Sequence, residues 1–458
     1  MDNKELIKEI YSCFCSCDAL STDSRTIAGM VKEGKKVMFI ALKGERYDAN
    51  QFIDKVLDSG AAYVVTTSNK YSDDSRRDDR SIVCNAVTAS NNYRGDSRVI
   101  EVKDTLLVLQ QLATYHREQM NAKIVVVTGS NGKTTTKELL TAVLSQKYSV
   151  ISTVGNLNNH IGVPLTLLSI TKNNQIAVVE HGANHIGEIA ELCSISKPDF
   201  GIITNIGRAH LDGFGGAEGI VRAKGELYDY LAKNGGVAFY NSDIQNIKNK
   251  IDSYQTLKII SYNSEKYDVE SIASSSQMKF KKSGVEVSTN LIGDYNIFNV
   301  LAAIEIGAYF EVEIDSILSA ISSYVPRNMR SQLTTTDRNS VVVDAYNANP
   351  SSMEVAIDNF SKNSTFSQKQ LYILGQMNEL GSYSEVEHQT VVEKLSKIGA
   401  EAILIGKEFE KSANMYGYSW YESVESAIES ADFEKIENYN ILLKGSRSVG
   451  VEKILEKL

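Results

Sequence analysis

Hydrophobic and polar positions alternate along most of this chain in the pattern of an α/β protein. Short apolar, β-branched runs are typical of buried parallel strands, and segments with helical spacing of apolar residues separate them. In the middle of the chain we predict strands at 124–128, 176–182, 200–207 and 237–241. Between and after them we predict helices at 185–195, 218–233 and 296–310. This alternation predicts a parallel sheet covered by helices on both faces.

The same alternation continues on either side of the middle region. Before it, strands are predicted at 36–44 and 62–67, with helices at 52–61 and 104–120. After it, strands are predicted at 340–347, 370–375, 400–406 and 439–446. Pro326 ends the helical pattern between the middle and last regions. We therefore predict three α/β domains, at 1–104, 105–325 and 326–458. The last is Rossmann-like in outline but has no glycine fingerprint for a dinucleotide.

Composition narrows the class of protein. The 458 residues carry a formal net charge of −9 and no basic stripe, which argues against a nucleic-acid partner. No apolar run approaches the roughly 20 residues that span a bilayer, and the first residues lack the apolar core of a signal peptide. We expect a cytoplasmic protein without membrane insertion.

The cluster Cys13, Cys15 and Cys17 lacks zinc-ligand spacing, so we expect reduced thiols. Residues 68–98 are charged and without periodicity, and we predict a surface insertion there.

A phosphate-binding loop lies between the first middle strand and the following helix. The sequence from Gly129 to Thr134 is GSNGKT. A strand that ends in glycines and opens a helix presents backbone N–H groups to an anion. Lys133 adds a cation for the β- and γ-phosphates, and the Thr134 hydroxyl can bind Mg²⁺. Val127 occupies the place of the usual first glycine, which makes a generic ATPase or GTPase less fitting.

Three further groups follow predicted strands or the helix after them. Glu180 closes one strand, His210 follows the next, and Lys224 lies on the helix beyond. A carboxylate beside a phosphate-binding loop holds Mg²⁺, directly or through water, although a buried ion pair is the alternative for Glu180. A lone histidine and a helical lysine are more often structural, so His210 and Lys224 have only their position in their favour.

Two polar clusters allow two interpretations each. Asn156, Asn158 and Asn159 lie in a glycine-bounded loop that either caps a helix or contacts substrate. Ser24, Arg25 and Lys43 lie near strand ends of the first domain, where they either bind a ligand or are solvated.

Taken together, these motifs resemble the Mur ligases, the ATP-dependent amide-forming enzymes of peptidoglycan assembly. The resemblance covers nearly the whole chain. Its motifs include FIALKGERYDANQFI, VTGSNGKTTTKE, GNLNNHIGVPLTLL, EHGANHIGEIAEL, AKGEL, GDYNIFNVLAA, VVVDAYNANPSSM, LGQMNELG and LLKGSRS. The family loop TGxxGKT also accounts for Val127. The resemblance implies a small α/β domain that binds UDP, a central P-loop ATPase-like domain and a C-terminal Rossmann-like domain.

The resemblance also implies residue roles. Lys133, Glu180, His210 and Lys224 are implied as catalytic, and Thr134, Glu180, His210 and Lys224 as ligands of two Mg²⁺ ions, with Lys224 carboxylated by CO₂. ATP would be bound by Gly129, Asn131, Gly132, Lys133, Thr134, Thr135, Asn296, Asn299, Arg330 and Asp344; between Arg327 and Arg330 we assign the nucleotide contact to Arg330. Substrates would be bound by Ser24, Arg25, Lys43, Asn156, Asn158, Asn159, Tyr346, Asn347, Asn349 and Ser351.

The activity implied by the resemblance is an ATP-dependent ligase acting as a monomer. The asparagine loop, YNANPSSM and GQMNELG are typical of the family member that joins D-alanyl-D-alanine to UDP-MurNAc-tripeptide. Three alternatives stay open here: a Mur ligase that adds one amino acid, a folylpolyglutamate synthase, and a non-catalytic P-loop regulator. The resemblance of residues 36–53 to a uridine-binding domain disfavours the second, and Glu180, His210 and Lys224 together disfavour the third.

Overall fold

The protein is known here from a computed structural model that describes residues 3–45, 47–67, 96–208, 211–272, 277–326, 329–362 and 369–458. Most of the insertion predicted at 68–98, and the predicted ligand His210, lie outside these residues. The chain forms two compact units. The first comprises Met1–Asn121, His160–Lys172 and Ser194–Lys197, and the second comprises Ala122–Asn159, Asn173–Cys193 and Pro198–Leu458. The domain boundaries predicted at 104 and 325 stay predictions.

The strands, in chain order, are β1 Ala19–Ser21, β2 Val37–Ile40, β3 Tyr63–Thr67, β4 Val99–Val102, β5 Lys123–Thr128, β6 Val150–Ser152, β7 Ile176–Glu180, β8 Phe200–Ile203, β9 Val237–Asn241, β10 Lys258–Tyr262, β11 Val269–Ile272, β12 Lys279–Lys282, β13 Val285–Ser288, β14 Gln332–Thr335, β15 Ser340–Asp344, β16 Lys369–Gly375, β17 Glu401–Ile405, β18 Ser419–Tyr421 and β19 Tyr439–Lys444.

The α-helices are α1 Asn3–Cys15, α2 Ile27–Lys32, α3 Ile53–Asp58, α4 Thr105–Gln119, α5 Lys133–Leu144, α6 Gly162–Leu168, α7 Glu188–Ser196, α8 Leu211–Phe214, α9 Ala217–Asn234, α10 Lys248–Asp252, α11 Ile297–Tyr309, α12 Ile314–Ser323, α13 Pro350–Lys362, α14 Ser384–Lys397, α15 Glu410–Tyr416 and α16 Val424–Ser430.

The first unit is built on a parallel sheet with the strand order β1-β2-β3-β4. The strand β2 is buried throughout, and Phe39 packs with Ile27, Ile53 and Val56 in one apolar cluster. Asp104 caps α4, since its side chain accepts the Leu107 N–H at 2.9 Å. Burial of whole strands in this way is typical of a parallel sheet covered by helices.

The second unit contains a six-stranded parallel sheet with the order β10-β9-β8-β5-β7-β6. Its central strand β5 pairs Val127 with Glu180 of β7 and Thr128 with Ile203 of β8. The carboxyl ends of three neighbouring strands therefore meet at one edge of the sheet, which is where parallel sheets bind ligands. The predicted parallel sheet is confirmed.

The strands β11, β12 and β13 form a small antiparallel sheet in that order, which the sequence analysis did not predict. Each strand has four residues, and β12 has the sequence KFKK. Each strand has one buried side chain: Val269, Phe280 and Val287. Strands this short and this polar give a weak periodicity signal.

The last part of the second unit holds a sheet with the order β14-β15-β19-β16-β17-β18. All neighbouring strands are parallel except β14, which pairs antiparallel with β15 at the edge. This confirms the predicted second α/β sheet and adds an antiparallel edge strand. Such edge strands are common on otherwise parallel sheets.

Several predicted strands are longer than the observed ones at their carboxyl ends. The prediction at 176–182 ends at Glu180, the one at 200–207 at Ile203, and the one at 340–347 at Asp344. Directly beyond Glu180 the His181 N–H still donates to the Val127 carbonyl of β5 at 2.9 Å, whereas the Gly182 N–H donates to the Asn158 carbonyl at 2.8 Å. The polar residues thus lie in loops at the sheet edge, where their side chains are free to converge.

Two predictions from composition are tested in part. Among the described helices, none combines the length and the apolar character that crossing a bilayer requires. Cys13, Cys15, Cys17 and Cys193 are free thiols.

The core of the second unit predicts a large effect of one substitution. Leu140 on α5 is fully buried in the apolar cluster beneath the parallel sheet. We expect Leu140→Ala to lower the free energy of unfolding by about 2–5 kcal/mol, since the cavity collapses only partly. Urea unfolding followed by circular dichroism measures this. The control is Val285→Ala, whose side chain is 64% exposed; equal losses in both variants would contradict the assignment of this core.

Candidate functional site

The loop between β5 and α5 requires glycine at two positions. Gly129 has a φ of 146° and Gly132 a φ of 77°, both in the region that favours glycine. A Cβ at Gly129 would lie 2.1 Å from the Thr204 hydroxyl oxygen, and one at Gly132 would lie 2.6 Å from Oδ1 of Asn299. The loop is therefore shaped by backbone conformation and by close packing at the same two residues.

The segment after β8 holds this loop in place. Asn205 accepts the Ser130 N–H with its carbonyl and the Asn131 N–H with its side-chain Oδ1, both at 3.0 Å. Ser130 and Gly207 exchange a further pair of hydrogen bonds, at 2.9 and 3.0 Å. Sequence reasoning missed Asn205, because only the neighbouring strands bring it to the loop.

Lys133 is the first residue of α5, and its side chain folds back over the loop. Its ammonium donates to the carbonyls of Gly129 at 2.8 Å and Ser130 at 3.1 Å. Burial lowers the pKa of Lys133, Glu180 acts in the opposite direction, and Arg330 lowers it further. Two cations that act on each other in a buried place favour the binding of an anion.

Glu180 and Thr134 meet at the mouth of the loop. The Thr134 hydroxyl donates to Oε2 of Glu180 at 2.8 Å, and the Asn158 amide donates to Oε1 at 2.8 Å. The Glu180 side chain is buried, so these hydrogen bonds are what compensate the carboxylate for lost water. The structure thus brings together two predicted metal ligands and one residue of the asparagine loop. Oxygen donors of this kind suit Mg²⁺.

Behind Glu180 lies a chain of hydrogen bonds that the sequence analysis did not identify. The Glu180 backbone N–H donates to the Thr153 hydroxyl at 2.9 Å, and the Lys137 ammonium donates to the Thr153 carbonyl at 2.7 Å. Lys137 is 3% exposed, and Oε1 of its partner Glu138 lies 3.7 Å away. The second turn of α5 is thereby tied to the strand end that carries Glu180.

Lys224 lies buried on α9. Its ammonium donates to the Ala183 carbonyl at 3.3 Å and lies 5.1 Å from the ring centre of Phe214. Burial, and then the charge of Lys133, lower the pKa of Lys224 to about 7, whereas Glu188 and Glu226 act in the opposite direction. A large share of this side chain is therefore the neutral amine at physiological pH.

His181 is a buried residue beside these groups. Its Nε2 has no hydrogen-bond partner, and its Nδ1 lies 3.9 Å from Sγ of Cys193. Burial, with a contribution from Lys224, lowers the pKa of His181 to about 3, so the ring is neutral. Its backbone is tied to β5 at both ends, through Val127 and Thr128.

The side chains of Asn296 and Asn299 line the other side of the loop. Asn299 accepts a hydrogen bond from the Thr136 hydroxyl at 3.0 Å and donates to Asn296 at 2.8 Å, and Asn296 donates to the Ile292 carbonyl at 2.8 Å. The pair therefore braces the loop through protein contacts. The adenine contact implied for it stays a prediction.

Arg330 and Asp344 come from the last part of the second unit. The Asp344 carboxylate accepts a hydrogen bond from the buried Lys444 ammonium at 2.6 Å and one from the Ser331 N–H at 3.3 Å. Sequence reasoning missed Lys444, which lies at the end of β19 opposite Asp344 in the sheet register. The guanidinium carbon of Arg330 lies 3.6 Å from the ring centre of Tyr346.

Two of the residues predicted to bind substrate contact the phosphate-binding loop region instead of facing solvent. The Asn349 amide donates to Oδ1 of Asn131 at 2.8 Å. The Ser351 hydroxyl accepts the Arg208 N–H at 2.7 Å. The Arg208 side chain continues this contact, with ion pairs to Glu354 at 3.0 Å and Glu387 at 3.2 Å. Asn347 is exposed, and its Oδ1 accepts the next backbone N–H.

The remaining predicted residues are placed as follows. In the first unit Ser24 is buried, Arg25 is exposed and pairs with Asp23 at 2.7 Å, and Lys43 is exposed with Asp48 at 3.9 Å. In the second unit Asn156 and Asn159 are exposed, and Thr135 is half-buried in the first turn of α5.

Within the described ranges, no group of three or more His, Cys, Asp or Glu side chains could hold a metal ion. The second Mg²⁺ was assigned to His210, which lies outside those ranges.

Comparison with known proteins gives one consistent result. The Mur ligase middle domain model matches residues 127–307, and the Mur ligase, glutamate ligase domain model matches residues 329–447. UDP-N-acetylmuramoyl-tripeptide–D-alanyl-D-alanine ligase of Bacillus subtilis is 34% identical, over 95% of this chain and 94% of the relative. The protein of that name from Escherichia coli is 31% identical, over 98% and 95%.

Solved structures agree with the sequence matches. A crystal structure of MurF from Acinetobacter baumannii superimposes with a TM-score of 0.78 at 29% identity, covering 96% of this chain and 93% of that one. MurF ligase from Thermotoga maritima in complex with ADP gives 0.76 at 25% identity, covering 96% of each chain.

Lys137 offers a test of the hydrogen-bond chain behind Glu180. We expect Lys137→Met to lower the free energy of unfolding by about 1–3 kcal/mol, since the buried Thr153 carbonyl loses its donor. We also expect weaker binding of Mg-ATP, because Thr153 then no longer fixes Glu180. Urea unfolding and calorimetric titration measure the two effects. Lys172→Met, at an exposed lysine, serves as the control, and unchanged values for Lys137→Met would refute this role.

Lys224 predicts a pH dependence of stability. Its folded pKa of about 7 lies below the unfolded value of 10.5, so between these values the unfolded chain binds one more proton. Stability of the parent protein therefore rises with pH in this window, by at most about 1.4 kcal/mol per pH unit from this group. Lys224→Met lacks this contribution, and its stability advantage over the parent should shrink from pH 7 to pH 10 in CO₂-free buffer. Lys233→Met on the same helix, where the lysine is exposed, should show a constant difference. A constant difference for Lys224→Met as well would contradict the lowered pKa.

Proposed function

The chain belongs to the Mur ligase family, and we propose that it joins D-alanyl-D-alanine to UDP-MurNAc-tripeptide at the expense of ATP. The observation that supports this most strongly is the similarity to ligases of that name over 95–98% of the chain. At this coverage the similarity extends into the last region of the chain, which would bind the acceptor. The same conclusion makes the protein an ATP-dependent amide ligase of peptidoglycan synthesis.

The reaction would proceed in two steps, formation of an acyl phosphate and formation of the amide. The terminal carboxylate of the tripeptide attacks the γ-phosphorus of ATP, which gives an acyl phosphate and ADP. The amine of D-alanyl-D-alanine then attacks the acyl carbon, loses a proton and expels phosphate. The protein's main task is to hold the reacting groups in line and to stabilise charge on the transferring phosphoryl group.

The phosphate-binding loop supplies the first contribution. The Ser130 and Asn131 N–H groups already donate to Asn205, so the backbone N–H groups at the start of α5 would bind the phosphates, and Lys133 would exchange the carbonyls of Gly129 and Ser130 for phosphate oxygens. Thr134 and Glu180 would hold one Mg²⁺, which supplies further charge neutralisation when it is bound. Their oxygens already lie 2.8 Å apart, so both would exchange their mutual hydrogen bond for the ion.

We assign carboxylation to Lys224, as the resemblance implies. The reaction needs the neutral amine, which attacks CO₂ and releases a proton to give an N6-carboxylate. The lowered pKa of about 7 supports this, because it makes the neutral amine available without a separate base. Carboxylation converts this buried amine into an anion, and a carboxylate there would serve as a ligand for the second Mg²⁺ together with His210.

Substrate contacts follow the division of the chain. Ser24, Arg25 and Lys43 would contact the UDP group, and Asn156, Asn158 and Asn159 the tripeptide side. Asn158 already bonds the Glu180 carboxylate, which suits a residue that borders both substrate and metal. Asn347 would contact the acceptor dipeptide. The division into domains at 1–104, 105–325 and 326–458, the monomeric state and the cytoplasmic location belong to the same proposal.

The deciding experiment measures ADP release with Mg-ATP and UDP-MurNAc-tripeptide, with D-Ala-D-Ala, with D-Ala alone, or with no acceptor. We expect turnover only with the dipeptide, and a product mass equal to that of the pentapeptide. Lys133→Met should abolish it, since the transferring phosphoryl group loses its lysine.

Turnover with a single amino acid would support the proposed ATP site but show that the proposed acceptor is wrong. No turnover with any acceptor, together with tight ATP binding, would favour a regulator instead. Lys172→Met again serves as the control for a lysine outside the site.

A further inference from the structure

The side chain of Arg330 stacks on the ring of Tyr346. Its guanidinium carbon lies 3.6 Å from the ring centre, which is close contact for a cation on an aromatic face. The guanidinium carbon of Arg447 lies 5.3 Å from the same ring centre. Tyr346 therefore contacts two arginine side chains, and Arg330 is the closer of the two.

The backbone around Arg330 is fixed in an unfavourable conformation. Met329 and Ser331, on either side of it, have φ values of 55° and 45°. Ser331 is held there by its N–H bond to Asp344 at 3.3 Å and by its hydroxyl, 2.7 Å from the hydroxyl of Tyr295. Non-glycine residues in this conformation are strained and persist only where the surroundings impose it. The backbone of this segment thus fixes the position of the Arg330 Cα atom, from which the side chain extends.

The position of the Arg330 guanidinium group is not fixed by polar contacts. Among the described residues, Nε of Arg330 is buried without a hydrogen-bond partner, and no carboxylate forms an ion pair with its guanidinium. A buried donor without a partner is costly unless a ligand supplies the acceptor. The ring of Tyr346 is the group that orients this guanidinium.

Arg330 is also one of the charges that act on Lys133. Lys133 lies on the phosphate-binding loop, and Arg330 comes from the segment leading into the last sheet. Two cations held near each other in a partly buried site are stabilised by an anion that contacts both. The triphosphate of ATP is the anion that the proposed function brings to this place.

From these contacts we propose that Tyr346 is a positioning residue for the nucleotide: its ring holds the Arg330 guanidinium toward the phosphates bound at the loop. This differs from the acceptor contact that the resemblance implies for Tyr346. The proposal rests on the proposed function only for the identity of the anion. According to this proposal, nucleotide binding depends on the ring face of Tyr346 and not on its hydroxyl.

Two substitutions separate the ring from the hydroxyl. Tyr346→Phe keeps an aromatic face for Arg330 and removes the hydroxyl, whereas Tyr346→Leu removes the ring. We measure the dissociation constant of Mg-ADP by calorimetry without acceptor, and KM for ATP and for D-Ala-D-Ala in turnover. We expect Tyr346→Phe to leave the nucleotide values within about twofold. Tyr346→Leu should weaken nucleotide binding about 3- to 30-fold, the range for a cation–aromatic contact that is partly desolvated.

A double-mutant cycle tests whether the effect passes through Arg330. In an Arg330→Met background, Tyr346→Leu should cause no further loss of nucleotide affinity. Tyr416→Leu, at an exposed tyrosine of the last sheet's surface helix α15, is the control for loss of a ring and should change nothing.

Three results would overturn the proposal: unchanged nucleotide binding in Tyr346→Leu, an equal further loss in the Arg330→Met background, or a raised KM for D-Ala-D-Ala in Tyr346→Phe with nucleotide values intact. The last result would assign Tyr346 to the acceptor. Because the calorimetric arm needs no acceptor, it stays informative even if the acceptor of the proposed function is wrong.

Discussion

The burial of one carboxylate constrains most of this site. Glu180 ends the strand next to the phosphate-binding loop and is almost inaccessible to solvent. An ionised carboxylate in such a place must be satisfied by hydrogen bonds or cations. The loop supplies Thr134, the asparagine segment supplies Asn158, and the backbone is fixed through Thr153. Three segments that are distant in sequence are thereby held at one strand end before any nucleotide arrives.

Three lysine side chains lie in buried or half-buried positions around this carboxylate. The amines of Lys133, Lys137 and Lys224 all donate to backbone carbonyls, and their charges, partial in the case of Lys224, are not neutralised by those contacts. Carbonyl groups satisfy an ammonium donor without neutralising its charge. Such a site has an excess of positive charge that a polyphosphate can offset, which is the preorganisation expected for phosphoryl transfer. Burial is the main reason why the pKa values of Lys133 and Lys224 are lowered, and neighbouring positive charges lower them further.

The sequence alone was sufficient for the fold class and for the residues whose signal is local. The phosphate-binding loop is recognisable from sequence because phosphate binding requires a fixed spacing of its residues, here Gly129, Gly132, Lys133 and Thr134. Glu180 was found because it closes an apolar strand. Lys137, Thr153, Asn205 and Lys444 were missed because their importance depends on pairing across strands that are far apart in sequence. The antiparallel strands β11, β12 and β13 were missed because strands of four mostly polar residues show no clear hydrophobic period.

The contacts of Asn349 and Ser351 have a consequence for evolution and engineering. Both residues belong to the YNANPSSM segment, yet their side chains bond Asn131 and the backbone of Arg208 at the phosphate-binding loop. If this segment also borders the acceptor, as we propose, acceptor choice is not modular. Exchanging the segment for that of a relative with another acceptor would then also disturb the phosphate-binding loop, and compensating changes near Asn131 would have to accompany it.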